Sequence, residues 1–363
     1  MPHKTIMIMA GGTGGHVYPA LAVADYLRQC GVTVVWLGTD NGIEARLVPK
    51  HGYQLLMVGV SGLRGKGLGK WLQAPIMILA SVLHCYRFIR RLRPDAVLGM
   101  GGFVSGPGGI AAWLARVPLF IHEQNSILGL TNRLLAPLAR TAMEGFPGTF
   151  KTMVRVRTTG NPVRADLFAI PGPEQRLRER TGGPLRLLII GGSQGARVFN
   201  ELLPETLTQL EQTVSIEVWH QTGERNYTAA REQYAAARTV CQPRIVPYID
   251  DMAAAYSWAD IVLCRAGALT IAELCAVGIA SILVPFPSAV DDHQTANARF
   301  LSGLGAAILL PETELEKNKL VEILTQLSHA REQLARMACA ARKLARPEAT
   351  RIVGEICMGG AYA

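Results

Sequence analysis

The sequence predicts an α/β protein made of two doubly wound parallel sheets in tandem, and three observations predict it. Short apolar runs are followed by glycine-rich turns and then by segments of helical periodicity, repeatedly along the chain. The series breaks down in a Pro/Gly-punctuated stretch at 146–173 and restarts near residue 185. The 363 residues also exceed what one hydrophobic core usually serves.

In the first half, an apolar strand at 5–10 leads through a glycine turn into an amphipathic helix over about 17–30. A strand is expected at 32–37, a helix near 43–51, a strand near 54–58, and a helical segment opened by Pro75. A strand at 96–100, another glycine turn, a helix to 115 and a strand at 119–122 complete the half. The second half opens the same way, with a strand at 185–190, a glycine turn at 191–195 and a helix at 196–210. Strands at 215–220, 244–246, 260–264, 281–284 and 306–309 alternate with helical segments. The expected domains are 1–163, 164–340 and a helical tail, 341–363, that packs back on the first. Sheets of this kind bind ligands beyond the carboxyl ends of their strands, and two such sheets facing each other make a cleft.

Composition narrows the class. Apolar residues make up 49% of the chain, which excludes disorder. The seven cysteines are scattered without metal-ligand spacing, which suits a reducing cytoplasm. The apolar stretch before Gly11 is too short for a signal-peptide core. The longest apolar run, 71–83, is broken by Gln73 and Ser81 and is shorter than the roughly 18 residues a spanning helix needs. Net charge is +9, and its placement is uneven. Between 45 and 94 the chain carries Arg46, Lys50, Arg64, Lys66, Lys70, Arg87, Arg90, Arg91 and Arg93 and no acid, which marks a local basic surface.

Four glycine clusters follow expected strands: GGTGGH at 11–16, a run at 99–109, GGSQG at 191–195 and RAGA at 265–268. Without Cβ atoms, backbone N–H groups can close on an anion, and the helix that follows adds its positive end. One such cluster is as readily a tight turn with no ligand; four point to phosphates. A P-loop is excluded, because Gly65 and Lys66 are followed by Gly67 and lack the upstream glycine. Neither 11–17 nor 191–197 spells GxGxxG, which weakens a nicotinamide or flavin reading.

His16 ends the first cluster, where the positive end of a helix disfavours an imidazolium and keeps the ring available as a base. A capping role is the duller alternative. Glu123, in HEQN at 122–125, is the rival base at a strand's carboxyl end. Glu273, on the helix opened by Ala268, Leu269 and Thr270, suits a ribose diol, and Arg265 suits a diphosphate; each is otherwise a surface residue. The pairs Asp250–Asp251 and Asp291–Asp292 are adjacent rather than alternating, which argues against a metal. Along 71–93, Ile76, Leu79, Val82, Leu83 and Tyr86 share a stripe widened by Met77 and Ile78. Arg87, Arg90, Arg91 and Arg93 crowd its end, and Arg64, Lys66 and Lys70 precede it. That pattern fits an interfacial helix on anionic lipid, with an ordinary core helix as the alternative. Nucleic-acid binding is disfavoured, since the basic stretch has few aromatics and no recognised motif.

Taken together, GGTGGH at 11–16, GLRGKG at 62–67, GMGGFVSGPGG at 99–109, HEQN at 122–125, GNPVR at 160–164, GGSQGA at 191–196, IDDM at 249–252 and CRAGALTIAE at 264–273 closely resemble the MurG family of glycosyltransferases. The resemblance spans nearly the whole chain, in order. It implies the GT-B architecture, two Rossmann-like domains facing a central cleft, and transfer of N-acetylglucosamine from UDP to the C4 hydroxyl of N-acetylmuramic acid in lipid I, giving lipid II for peptidoglycan. It implies an inverting displacement with no metal or other cofactor, a peripheral place on the cytoplasmic face of the bacterial inner membrane, and partners among the cell-wall-synthesis proteins.

Position by position, the resemblance implies that UDP-N-acetylglucosamine meets Ser193, Arg265, Ala268, Leu269, Thr270, Ile271 and Ala272 at or near its diphosphate, Ile249 at uracil and Glu273 at the ribose. Thr13, Gly14, Gly15, Asn125, Arg164 and Gln294 are further donor positions, Gln294 within a stretch (285–294) that departs from the family's pattern. Gly101, Gly102 and Ser105 would face the acceptor's pyrophosphate, and Ile76, Leu79, Val82, Arg87, Arg90 and Arg91 the membrane. A UDP-N-acetylglucosamine 2-epimerase or a nonenzymatic nucleotide-sugar-binding protein are the alternatives that share the fold and donor.

Overall fold

A computed structural model describes residues 4–59, 68–151, 155–178, 180, 182–192 and 194–359. The chain divides into two compact units, Met1–Arg164 with Glu348–Ala363, and Ala165–Pro347.

The first unit runs β1 (Thr5–Met9), α1 (Gly14–Gln29), β2 (Thr33–Gly38), α2 (Glu44–Lys50), β3 (Gln54–Met57), α3 (Leu68–Leu92), β4 (Ala96–Gly99), α4 (Ser105–Leu114), β5 (Leu119–Glu123), α5 (Leu130–Leu135), β6 (Thr141–Glu144) and β7 (Val156–Thr158). Its strands form one parallel sheet in the order β3-β2-β1-β4-β5-β6-β7. β1 shows why such a strand reads as a continuous apolar run, because both sheet faces are covered. Ile6 and Ile8 pack with Val17, Ala24 and Leu27 of α1, while Met7 and Met9 pack on the opposite face with Ile89 and Ile121. β6 and β7 were not expected. Thr141–Glu144 offers only two apolar residues, and its membership is decided by pairing with β5 and β7.

The second unit continues with α6 (Pro173–Arg178), β8 (Leu185–Ile190), α7 (Arg197–Leu210), β9 (Ile216–Gln221), α8 (Tyr227–Ala237), β10 (Arg244–Val246), α9 (Met252–Trp258), β11 (Ile261–Cys264), α10 (Ala268–Val277), β12 (Ala280–Leu283), α11 (His293–Ser302), β13 (Ala307–Leu309), α12 (Lys317–His329) and α13 (Arg331–Lys343). The sheet order is β10-β9-β8-β11-β12-β13, again parallel.

Each sheet therefore begins in its interior and builds outward in both directions. The reversal lies between β1 and β4 in the first unit and between β8 and β11 in the second. Loops leaving those four strands occupy the topological switch point, where open parallel sheets hold their ligands.

α14 (Ala349–Cys357) closes the chain on the first unit. The return begins at Glu348, later than the tail expected from 341, because α13 runs on to Lys343 and places Leu334 and Met337 in the second unit's core. Val353 and Ile356 of α14 are fully buried in the cluster that contains Val17 and Leu27. Gly354 lies so close to α1 that a Cβ there would come within 2.5 Å of the Tyr26 ring. Ile356→Ala is accordingly expected to lower the unfolding free energy by about 2–5 kcal/mol, measured by urea denaturation; an unchanged midpoint would show that α14 is not part of this core.

Candidate functional site

At the first unit's switch point two glycine loops touch. Gly102 has φ +84°, and a Cβ on it would lie 2.3 Å from the carbonyl oxygen of Gly11. Gly101 has φ +104°, and a Cβ there would lie 2.7 Å from Nδ1 of His16. Glycine at both positions lets the loop after β4 lie against the loop after β1. Glu44, fully buried at the start of α2, braces the first loop: its carboxylate accepts from the N–H of Gly12 (2.9 Å) and from the N–H and hydroxyl of Thr39 (3.1 and 2.7 Å).

His16 stands half-buried in the first turn of α1, its N–H donating to the carbonyl of Thr13 at 3.1 Å. Its Nδ1 lies 3.0 Å from Oε1 of Gln124. Nε2 of Gln124 is 3.1 Å from Nδ1 of His122, and Nε2 of His122 is 3.0 Å from the carbonyl oxygen of Gly160. His122 is fully enclosed. Desolvation pushes its pKa down to about 4, against the opposing pull of the Gly160 carbonyl, Glu123 and Glu144, so the ring is neutral near pH 7. Thr13, Gly14 and Gly15 lie at the amino end of α1, which no side chain caps, and the N–H groups of Gly14 and Gly15 precede the helical ladder, the arrangement an anion site uses.

Glu123, expected as a rival base, is buried with both carboxylate oxygens engaged. Oε1 accepts from the N–H and amide of Asn125 (3.1 and 3.3 Å), and Oε2 from the N–H of Gly129 (3.1 Å) and the amide of Asn132 (2.9 Å). Its register neighbour on β6, Glu144, does the same for the next loop, accepting from Gly148 N (3.0 Å), Phe150 N (3.1 Å) and the Thr158 hydroxyl (2.7 Å). Both acids brace loops through charge-assisted bonds. Ser105, expected at the acceptor, is fully buried, its hydroxyl 2.8 Å from the carbonyl of Gly101 and 3.1 Å from that of Met9. It stitches the second loop to β1 and offers nothing outward. Arg164 is half-exposed at the last position of the unit's first segment.

In the second unit, the loop after β8 has Gly192 at φ +81° and Gly195 at φ +73°, and a Cβ on Gly195 would meet the Thr222 carbonyl at 1.8 Å. Gln221 and Asn226 hold this loop by donating to the carbonyls of Gly192 (2.9 Å) and Gln194 (3.2 Å). Ser193 lies outside the described residues, as do the 62–67 motif, Arg64 and Lys66. The strand ends Ile190 and Cys264 are register partners, so the loops after β8 and β11 leave the sheet side by side. Gly267 precedes α10 in extended backbone without a side-chain cap. The N–H of Ile271 is satisfied by the Gly267 carbonyl at 2.9 Å, and those of Ala268, Leu269 and Thr270 precede the helical ladder, with Ala272 on the following turn.

Glu273 is half-buried on α10, and Oε2 accepts from the hydroxyl of the fully buried Tyr256 at 3.0 Å. Tyr256 was not foreseen; its one signal is a lone phenol following three alanines on α9. Oε1 of Gln294 accepts from Ala266 N (3.2 Å) and Phe286 N (2.9 Å), clamping the loop before α10 to the loop after β12. Ile249 is buried just ahead of α9.

Arg265, expected on a diphosphate, is turned inward. Its guanidinium pairs with Glu312 at 2.5 Å, lies within 3.2–3.3 Å of the carbonyls of Pro285 and Val284, and stacks near Phe199 and Phe286. Asp251 caps α9 by accepting from Ala254 N (2.8 Å), and Asp292 accepts from the Thr295 hydroxyl (2.6 Å). These acids serve local structure.

On α3, Val82 is buried with Cys85 and Ile89 in the core, so it leaves the outward stripe it was expected to join. Ile76 (72% exposed), Met77, Ile78, Leu79 and Leu83 remain outside, and Arg87, Arg90 and Arg91 are exposed toward the helix end. α3 packs on α4 and α4 on α5, and these helices add exposed Trp113, Leu114, Leu130 and Leu134. No helix of the described residues is long and apolar enough to cross a membrane.

Residues 6–144 match the glycosyltransferase family 28 N-terminal domain, and residues 186–352 match the family 28 C-terminal domain. The chain is 54% identical, over 97% of its length and 98% of the relative's, to the UDP-N-acetylglucosamine–N-acetylmuramyl-(pentapeptide) pyrophosphoryl-undecaprenol N-acetylglucosamine transferase of Nitrosococcus oceani. It is 50% identical to the transferase of the same description from Marinobacter nauticus, over 99% and 98% of the two chains. Among solved structures it is similar to MurG of Acinetobacter baumannii, with a TM-score of 0.84, 42% identity, and 98% and 99% of the two chains covered. The chain therefore belongs to the MurG family of family 28 glycosyltransferases, the GT-B class built from two doubly wound domains.

Proposed function

We propose that this chain transfers N-acetylglucosamine from UDP-N-acetylglucosamine to the C4 hydroxyl of the N-acetylmuramyl unit of undecaprenyl-pyrophosphoryl-N-acetylmuramyl-pentapeptide, converting lipid I to lipid II. The observation that carries this reading is the full-length relationship to transferases of that description. The acceptor oxygen attacks the anomeric carbon in one inverting displacement. The bond from that carbon to the diphosphate breaks, UDP leaves, and His16 takes the hydroxyl proton. Support for His16 as base is its place on the loop at the switch point, half-exposed and held through Nδ1. The engaged carboxylate of Glu123 argues against the rival.

UDP-N-acetylglucosamine is assigned to the second unit. The uncapped N–H groups of Ala268, Leu269 and Thr270, with the loop that carries Ser193, receive the diphosphate and stabilise the charge that develops on it. Ile249 meets uracil through its backbone, and Glu273, oriented by Tyr256, meets the ribose. Arg265 supports the turn from behind rather than touching phosphate. The first unit's loops at Gly12–Gly15 and Gly101–Gly102 are assigned to the acceptor's pyrophosphate and the base.

Membrane attachment is peripheral in this reading, at the cytoplasmic face. The exposed apolar residues of α3, α4 and α5 enter the interface, and Arg87, Arg90 and Arg91 meet anionic headgroups.

Radiolabelled UDP-N-acetylglucosamine with lipid I is expected to give labelled lipid II; UDP release without lipid product would overturn the assignment. In the same assay His16→Ala should lower turnover about 100- to 10,000-fold with little change in UDP affinity, and near-normal turnover would remove His16 from the base role. Replacing Arg87, Arg90 and Arg91 together with Glu should release the protein from anionic liposomes, since roughly 1 kcal/mol per basic residue is lost, while donor affinity is kept. Undiminished sedimentation with those liposomes would show that this end of α3 does not meet lipid.

A further inference from the structure

The hydrogen-bonded series His16, Gln124, His122, Gly160 has a direction that atom types alone determine. The carbonyl of Gly160 only accepts, so Nε2 of His122, 3.0 Å away, carries the proton. Nδ1 of the neutral ring is then an acceptor, and the group 3.1 Å from it on Gln124 is the amide nitrogen. The same nitrogen lies 3.3 Å from the carbonyl of His122, a second pure acceptor, so the amide is oriented twice over. Oε1 of Gln124 therefore faces His16, and an amide oxygen only accepts. Nδ1 of His16 carries the proton.

We propose that Gln124 and His122 are positioning residues that fix His16 as the Nδ1–H tautomer and leave Nε2 as the atom that takes the acceptor's proton. The proposal rests on the reading of His16 as base. It assigns the work that a carboxylate does beside a catalytic histidine in hydrolase triads to a neutral amide anchored on a buried imidazole. Gln124 is 1% exposed and His122 fully buried, so neither touches substrate. The amide of Asn161 adds a bond of 2.9 Å to the Gln124 carbonyl, and the Thr159 hydroxyl lies 3.2 Å from Nε2 of His122, which holds the anchor in place.

Steady-state transfer kinetics on the full chain test this with Gln124→Met, His122→Leu, His122→Asn and the double variant Gln124→Met/His122→Leu. Gln124→Met removes both amide bonds at similar volume. It should lower kcat about 10- to 100-fold, part of what a positioned base supplies, with KM for UDP-N-acetylglucosamine within about twofold of wild type. His122→Leu should match it. His122→Asn, which can return an acceptor oxygen to the place of Nδ1, should recover most of the loss. The double variant should be no slower than Gln124→Met, because His122 acts through Gln124.

Wild-type kcat in Gln124→Met, losses that multiply in the double variant, or His122→Asn as slow as His122→Leu would each overturn the proposal. Circular dichroism and UDP affinity check folding of each variant, and His122→Asn, the most conservative, decides if the leucine variants do not fold. His16→Ala run in parallel separates the two levels. Near-normal turnover there sinks the base assignment itself, whereas a large loss there with wild-type Gln124→Met sinks only the relay.

Discussion

The close approach of two glycine loops at the first unit's switch point is the constraint on which the proposed chemistry depends. Gly101 and Gly102 have positive φ, and neither has room for a Cβ against His16 and the carbonyl of Gly11. That contact lets a histidine on the first turn of α1 reach Gln124 just after β5, two strands away in the sheet order counted from β1 through β4 to β5. A methyl at either position would have to separate the loops, and the imidazole would lose its partner. Around this contact the unit is braced by three buried glutamates, Glu44, Glu123 and Glu144, each of which accepts backbone N–H groups of a loop. Their negative charge is met by amide dipoles, so the upper edge of the sheet is held without drawing on the exposed basic residues.

The second unit repeats the topology with different chemistry. Its switch-point loops are held by side chains that donate to loop carbonyls, Gln221 and Asn226 on the loop after β8 and Asn297 on the carbonyl of Ala266 after β11. In place of a histidine it presents the uncapped start of α10, with Glu273 one turn further along. Arg265 and Gln294 tie the loops around that helix end to one another. A preorganised set of N–H groups suits a leaving diphosphate, because charge that appears in the transition state meets dipoles already in place.

The alternation of strands and helices, the restart near 185 and the four glycine loops were legible because each is a local pattern. β6 and β7 were not, since a strand as short as Val156–Thr158 is defined by its neighbour rather than its own residues. The same distinction runs through the site. His16 is recognisable from the loop it ends, but its partner is 108 residues away in sequence, and no local signal links Gln124 and His122 to it. Glu123 looks like a base because a carboxylate at a strand's carboxyl end is chemically ambiguous; the amides of Asn125, Gly129 and Asn132 that engage it are brought there only by the fold. The partners of Arg265 and Ser105 were hidden for the same reason, since Glu312 and the carbonyls of Met9 and Gly101 come to them only in the fold. Val82 falls on the apolar stripe of α3 by periodicity, but a helix lying on a core buries part of any broad stripe.

The most direct measurement of the central claim is the tautomer of His16. Nitrogen-15 NMR of protein labelled at histidine, with the His16 signals identified by their loss in His16→Ala, distinguishes a protonated from an unprotonated ring nitrogen. At a pH where the ring is neutral, Nδ1 of His16 should be protonated and Nε2 bare, the state that the Gln124 oxygen imposes and that a proton acceptor needs. A His16 ring protonated at Nε2, or one averaging between the two forms, would contradict it.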